Sequence, residues 1–205
     1  MMFIEIIQGQ VTASGELREA HDWWHREMSH EAHGWLGSTI GVTDSGAYIA
    51  VARYDTQESA WRTADLAVQG KWWFATAKLF EGQMILHDCP RVRQYLGGGS
   101  DSAGFVQVIQ GHLKDPDRMD EIIRLCEPEL AAFRPDLIGG TTALHESGLY
   151  TETAYFTSEE EARAGERREP PPRLRDALAE LTSLFEGPPT YHDLRDPWMY
   201  SPIGT

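Results

Sequence analysis

The second half of this chain repeats the first. Residues 105–162 follow residues 3–60 without a gap at a constant offset of 102 (105 − 3). FIEIIQGQV at residues 3–11 returns as FVQVIQGHL at residues 105–113, Ser45-Gly46 as Ser147-Gly148, and YDTQESA at residues 54–60 as FTSEEEA at residues 156–162. Beyond Ala60 the offset becomes 105 (184 − 79): LFEG at residues 79–82 matches residues 184–187, and His87-Asp88 matches His192-Asp193. A match this long, in position as well as in residue type, means two copies of one structural unit. Each copy has about 100 residues, a common domain size. Units that small bury only a modest core, so each is expected to lean on the other.

Within each copy the hydrophobic pattern changes period. Residues 3–11 alternate and are rich in isoleucine, a strand pattern. Leu17, Ala20, Trp24 and Met28 recur at spacings of three and four, a helical stripe that returns as Met119, Ile122, Cys126 and Leu130. Ser14 is the expected cap of this first helix, and Pro128 is expected to bend or shorten its second copy. Residues 35–43 and 47–54 read as strands joined by the turn Asp44-Ser45-Gly46, with Glu146-Ser147-Gly148 as its partner. A second helix then runs from about residue 55 toward Phe80, and a last strand covers residues 83–89. In the second copy Pro170-Pro171-Pro172 must split that helix.

The order βαββαβ is the ferredoxin-like split unit. Residues 1–96 form the first unit, residues 97–104 (GGGSDS at 97–102) a flexible linker, residues 105–195 the second unit, and residues 196–205 an irregular tail. The strands are apolar on both faces: Ile4 and Ile6 against Phe3 and Ile7, Ile49 and Val51 against Tyr48 and Ala52. A sheet with helices on one face needs a cover for the other. The fold class expected is therefore α+β, with two antiparallel sheets packed face to face as a pseudo-dimer within one chain. Further homo-oligomerisation is then not required.

Charge narrows the partners. The net charge of −14 argues against nucleic acid and against an anionic membrane. The opening MMFIEIIQGQ has no basic segment and too short an apolar run for a signal or spanning helix. Cys89 and Cys126 form no metal-type or redox-type pair, and a reducing cytoplasm is the simpler expectation.

The element order, the first strand ending in Gln-Gly (Gln8-Gly9 and Gln110-Gly111), and the pattern Gly37 … Ser45-Gly46 … Tyr54-Asp-Thr-Gln-Glu-Ser-Ala60 resemble the dimeric α+β barrel superfamily. Within it, the chain resembles the antibiotic-biosynthesis-monooxygenase-like domains, over both halves. That superfamily includes cofactor-independent oxygenases of polyketide rings and haem-degrading enzymes, so fold does not settle function. The haem-degrading branch uses a histidine on the second helix as iron ligand. Residues 61–80 and 163–185 contain none, so no haem, and no other cofactor, is expected.

Six tryptophans crowd the first unit: Trp23, Trp24, Trp35, Trp61, Trp72 and Trp73. The second carries Leu125, Cys126, Leu137, Arg163, Ala177 and Leu178 at the matching positions. Tryptophans fill cores and also line ligand pockets. The expectation taken forward is a small-molecule site in the first unit, lined by Trp24, Trp61, Trp73 and Gln8. By the resemblance, His87 or Tyr48 (with Gln8 as a further polar group) would take a proton from an electron-rich ring that then reacts with oxygen. The competing expectation is a non-catalytic binding or stress-related module. His87-Asp88 recurs in both copies, and neighbouring strand residues face opposite ways, so the two do not naturally pair. His21 and His25 share a helix face but have no third ligand at a compatible spacing. They read as part of a solvated polar face, not a metal site.

Overall fold

A computed structural model describes residues 1–204. Among the described residues there are ten strands and six α-helices, and every strand belongs to one of two five-stranded sheets. The first copy supplies β1 (Phe3–Val11), α1 (Ser14–Glu27), β2 (Trp35–Val42), β3 (Ala47–Tyr54), α2 (Gln57–Ala64), α3 (Ala67–Thr76), β4 (Phe80–Cys89) and β5 (Arg91–Tyr95). The second supplies β6 (Phe105–His112), α4 (Pro116–Phe133), β7 (Leu137–Leu144), β8 (Leu149–Phe156), α5 (Glu159–Glu166), α6 (Pro172–Ser183), β9 (Thr190–Leu194) and β10 (Trp198–Tyr200).

The sheets run β10-β2-β3-β1-β4 and β5-β7-β8-β6-β9, and the pairings with recorded register are antiparallel. Each copy therefore ends on a strand that completes the other copy's sheet. This corrects two boundaries. The tail expected to be irregular contains β10, which pairs Trp198 with Ile40 and Tyr200 with Ser38. Residues 92–96 belong with the second compact unit, which spans Val92–Arg195, while Asp196–Thr205 joins Met1–Arg91. The reason is open backbone: β2 and β7 would otherwise be sheet edges with unpaired N–H and C=O groups. The same correspondence is in the sequence, because Tyr200 stands 105 residues after Tyr95.

Side-chain alternation sorts each sheet into two faces. In the first unit Phe3, Tyr48, Ala50, Ala52 and Tyr54 pack into one cluster with Leu17 of α1 and Ala60 of α2. Ile4, Ile6, Ile49 and Val51, on the face turned away from those helices, are also fully buried. The hairpin turns form as the sequence predicts: Gly46 and Gly148 have φ of 83° and 87°, the region glycine enters without a Cβ clash.

Three helix expectations need revision. Ser14 lies inside α1; Ala13 holds the cap position and contributes no side-chain bond. Pro128 does not shorten α4, which runs unbroken for 18 residues, longer than the 14 of α1. A proline removes one N–H, and the buried Met119, Ile122 and Cys126 hold the rest of the helix. The second helix is split in both copies. In the first it breaks at Leu66 with no proline present: Leu66 turns extended (ψ 126°). α2 rests on β1 and β3 whereas α3 rests on α1, and one straight helix cannot do both. Thr56 caps α2, its hydroxyl accepting from the Ser59 N–H at 3.1 Å.

Candidate functional site

Between sheet and helices unit 1 has two small spaces, of about 60 and 190 Å³, where unit 2 has one of about 610 Å³. The smaller touches His21, Trp24, Trp35, Tyr48, Trp72 and Trp73 among others. Hydrogen bonds fix the rings. The Trp24 indole N–H donates to Gln69 Oε1 (2.7 Å), that of Trp72 to the Ala20 carbonyl (3.1 Å) and that of Trp35 to Ser38 Oγ (3.0 Å). Trp24 meets Trp35, and Trp72 meets Trp73, edge to face with centroids 5.1 and 4.7 Å apart. His21 Nε2 and the Tyr48 hydroxyl lie 2.9 Å apart, both buried. Burial pushes the imidazole down to about 3 and the phenol up, so the pair is a neutral hydrogen bond. Ligand pockets generally run to several hundred Å³; this space is filled.

In unit 2 the matching positions are smaller. Trp24, Trp35, Trp72, Trp73 and His21 become Cys126, Leu137, Ala177, Leu178 and Ile123. The result is a cavity of about 610 Å³ with a floor of Ile109, Ala154 and Phe156 and walls that include Met119, Leu181 and Phe185. Its polar lining includes Arg134, Glu166 and Thr182 and two hydrogen-bonded sets. At one side the Tyr95 hydroxyl donates to Glu152 Oε1 at 2.6 Å. Glu152 stands on β8 between Tyr150 and Ala154, and burial raises its pKa against the opposing pull of the Tyr95 bond. Tyr95 reaches it across β7 because position 140 is glycine: a Cβ there would lie 2.2 Å from the phenol ring. At the other side Gln107 Nε2 donates to Asp193 Oδ1 (2.9 Å), and the Arg163 guanidinium pairs with Asp193 Oδ2. Arg163 also lies over the Phe105 ring, 5.2 Å from its centroid.

The counterpart of that second set in unit 1 is Glu5, Asp88 and Trp61. Glu5 and Asp88 are register partners on one face. Burial first, and the Asp88 carboxylate second, push Glu5 up to about 7. The Trp61 indole donates to Asp88 Oδ2 at 3.3 Å, whereas Asp88 Oδ1 is buried with no partner among the described residues.

The residues singled out from the sequence do not converge. Trp24, Trp73 and Tyr48 meet at the filled space of unit 1. Trp61 is half exposed beside Asp88. Gln8 and His87 lie on the opposite face of the sheet: they alternate with Ile7 and Asp88, and His87 registers with Ile6. His21 is no solvated surface group; it is 7% exposed and bonded to Tyr48. His25 Nε2 sits 2.7 Å from the Ser201 carbonyl. Among the described residues no group of three or more His, Cys, Asp or Glu side chains could hold a metal, and no helix is long and apolar enough to cross a membrane. Sequence reasoning missed Glu152 and Tyr95. Their signals were present: a carboxylate on the strand face it shares with Tyr150, Ala154 and Phe156, and a tyrosine in register with Tyr200.

No family profile and no curated protein matches the sequence. Proteins of known structure do match its fold along nearly the whole chain. A proposed monooxygenase from Lactobacillus acidophilus superposes with a TM-score of 0.72 at 11% identity, over 98% of this chain and 96% of that one. A proposed monooxygenase from Fusobacterium nucleatum gives 0.73 at 8% identity, over 98% and 94%. An anthrone oxidase-like protein gives 0.65 at 12% identity, over 97% and 93%. At such identities the likeness is one of fold. The chain shares the fold of these proteins, two ferredoxin-like units in tandem.

Proposed function

We propose that this chain binds an apolar, ring-bearing small molecule in the second-unit cavity and oxygenates it there without a cofactor. The carrying observation is the cavity of about 610 Å³ with one acid–phenol pair in its wall, the half-buried Glu152 and the buried Tyr95. That is the make-up of a small-molecule site. Between its sheet and helices the first unit offers two smaller spaces, of about 60 and 190 Å³.

The chemistry asked of the chain is modest. Burial makes the ionised Glu152 a stronger base than a solvated carboxylate. It takes a proton from an activated ring CH₂ group, and Tyr95 holds the carboxyl in place. The resulting carbanion passes an electron to O₂, the radical pair joins as a hydroperoxide, and loss of water leaves a ring ketone. One oxygen atom enters the product, the other leaves in water with the two hydrogens, and O₂ is the oxidant. The fold shared with proposed monooxygenases and an anthrone oxidase-like protein supports this reading. The second reading is a binding module without catalysis.

Oxygen consumption with anthrone tests both. The expected result is uptake that Glu152→Gln lowers by about two to four orders of magnitude while anthrone still binds. Binding without uptake would leave the non-catalytic module standing. Absence of binding would sink the cavity as a site.

A further inference from the structure

The space of about 190 Å³ in unit 1 is the counterpart of one part of the large cavity in unit 2. Its lining residues Glu5, Ile7, Tyr54, Trp73 and Leu86 are the repeat partners of Gln107, Ile109, Phe156, Leu178 and Tyr191, all of which line the cavity of about 610 Å³. Charge separates the two. Unit 2 carries its own cation there: the Arg163 guanidinium pairs with Asp193, beside the neutral Gln107. In unit 1 an indole, Trp61, replaces the guanidinium, and a carboxyl, Glu5, replaces the amide. Asp88 is the repeat partner of Asp193 and registers with Glu5 across β1 and β4. Two carboxyl groups therefore stand side by side where unit 2 has one carboxylate and one guanidinium. Asp88 accepts from the Trp61 indole. The Glu5 carboxyl has neither hydrogen bond nor ion pair among the described residues. It is within reach of a ligand, because it lines the cavity, and Ile85 and Leu86 of the same lining are more than half exposed.

We propose that this cavity of unit 1 binds a small primary amine, with its ammonium group on the Glu5 carboxylate and its apolar stem among Ile7, Ala60, Ala64 and Met84. This is a second site, independent of the reading given for unit 2. The ligand brings the cation that Arg163 supplies from within the chain in the other copy. The Trp73 ring stands in the same wall, and aromatic faces attract cations. An anion is repelled by Glu5 and Asp88 together. An apolar cavity of about 150 Å³ takes one benzene ring, so the stem is one ring or a short chain.

The site is pH-dependent by construction. Burial and the Asp88 carboxylate push Glu5 up to about 7, and the ammonium group needs its ionised form. Affinity therefore rises with pH through about 7 and levels off above it. Asp88 faces Glu5 from β4. The phenols of Tyr48, Tyr54 and Tyr200, which share its two spaces, are pushed up, and His21 is pushed down to about 3. The residues that α2 and α3 present to the cavity, Ala60, Ala64, Gln69 and Trp73, carry no charge.

Equilibrium dialysis of the full chain with benzylamine, benzyl alcohol and benzoate, which share one ring and differ in charge, tests this. At about pH 8 benzylamine is expected to bind about ten- to a hundredfold more tightly than the alcohol, the worth of one hydrogen bond to a charged group, and benzoate more weakly than either. Benzylamine affinity should fall about tenfold between about pH 8 and about pH 6. Glu5→Gln, which copies Gln107, should remove both the preference and its pH dependence. Trp61→Arg, which writes in the cation of unit 2, should weaken benzylamine more than benzyl alcohol. Glu58→Gln, at an exposed acid of α2, should leave the preference intact and so separate the site from the general pull of a chain of net charge −14. Urea denaturation shows that each variant is folded. Equal binding of amine and alcohol by the unaltered chain overturns the inference, as does tighter binding of benzoate. An amine preference that survives Glu5→Gln places the amine elsewhere and overturns it too, and so does the absence of benzylamine binding. None of these outcomes touches the unit 2 cavity.

Discussion

Under the helices of unit 1 stand Trp24, Trp35, Trp72 and Trp73; under those of unit 2 stand Cys126, Leu137, Ala177 and Leu178. The hairpins and the caps of the second helix, Thr56 and Ser158, correspond, yet unit 1 leaves spaces of about 60 and 190 Å³ where unit 2 leaves one of about 610 Å³. Both the first turn of the second helix and the end of the last strand tell the same story. Trp61 and Asp88 beside an acidic Glu5 correspond to Arg163 and Asp193 beside a neutral Gln107, so unit 2 balances a charge that unit 1 leaves strained. Duplicated units keep what the backbone needs and diverge in what the backbone merely encloses. One copy has spent its interior on packing, and the other has kept room.

The contrast can be broken from either side. The largest effect expected is on binding. Writing unit 1 into unit 2 with Cys126→Trp and Leu178→Trp should plug the cavity and abolish ligand binding, about 8 kcal/mol for a micromolar ligand, as read by dialysis. Retained binding would place the site elsewhere.

Next in size is stability. Trp72→Ala removes a buried indole and its bond to the Ala20 carbonyl, and should cost about 3–5 kcal/mol in urea unfolding. Leu178→Ala, at an existing cavity wall, should cost markedly less. Equal losses would mean that the cavity of unit 2 is closed by packing in solution.

The repeat partners Tyr48 and Tyr150 sharpen the contrast further. Tyr48→Phe leaves the buried His21 imidazole without its partner and should cost about 1–3 kcal/mol. Tyr150→Phe removes a buried hydroxyl with no partner among the described residues and should be neutral or stabilising in the free protein. A similar cost for both would show that the Tyr150 hydroxyl is satisfied after all.

The smallest effect is a matter of pH. Glu5 is raised from 4.5 to about 7, so the folded state holds its proton more tightly than the unfolded chain does. Its contribution is fully present below pH 4.5 and is lost as pH rises through about 7. Glu5→Gln, which copies Gln107, should flatten the fall in stability across that window and leave stability below pH 4.5 little changed. A pH profile identical to wild type would remove Glu5 as its source.

Much of this architecture was legible in the sequence. The offsets of 102 and 105 paired the elements, and Gly46 and Gly148 marked the hairpins. The site was much less legible. A tryptophan that lines a pocket and one that fills it look the same in sequence, because both are large, apolar and at the same register. Trp24, Trp35, Trp72 and Trp73 crowd a space of about 60 Å³, while Trp23 and Trp72 also border an open groove of about 600 Å³ beside α1 and α3, and Gln8 and His87 fell on the opposite face of the sheet by strand parity. Glu152 was overlooked because β8 otherwise reads as an ordinary buried strand, and Tyr95 because it works in the sheet of the other copy.

The sequence by itself determined two ferredoxin-like units, their order and their turns, since these follow from local periodicity and from a repeat that one chain carries openly. Only the tertiary structure decided where β5 and β10 pair, which of two equivalent interiors is empty, and that Tyr95 meets Glu152. Those outcomes depend on volumes and distances summed over residues far apart in the chain. Cavity volume in particular is a difference between the space the backbone encloses and the side chains that occupy it, and no single stretch of sequence contains both terms.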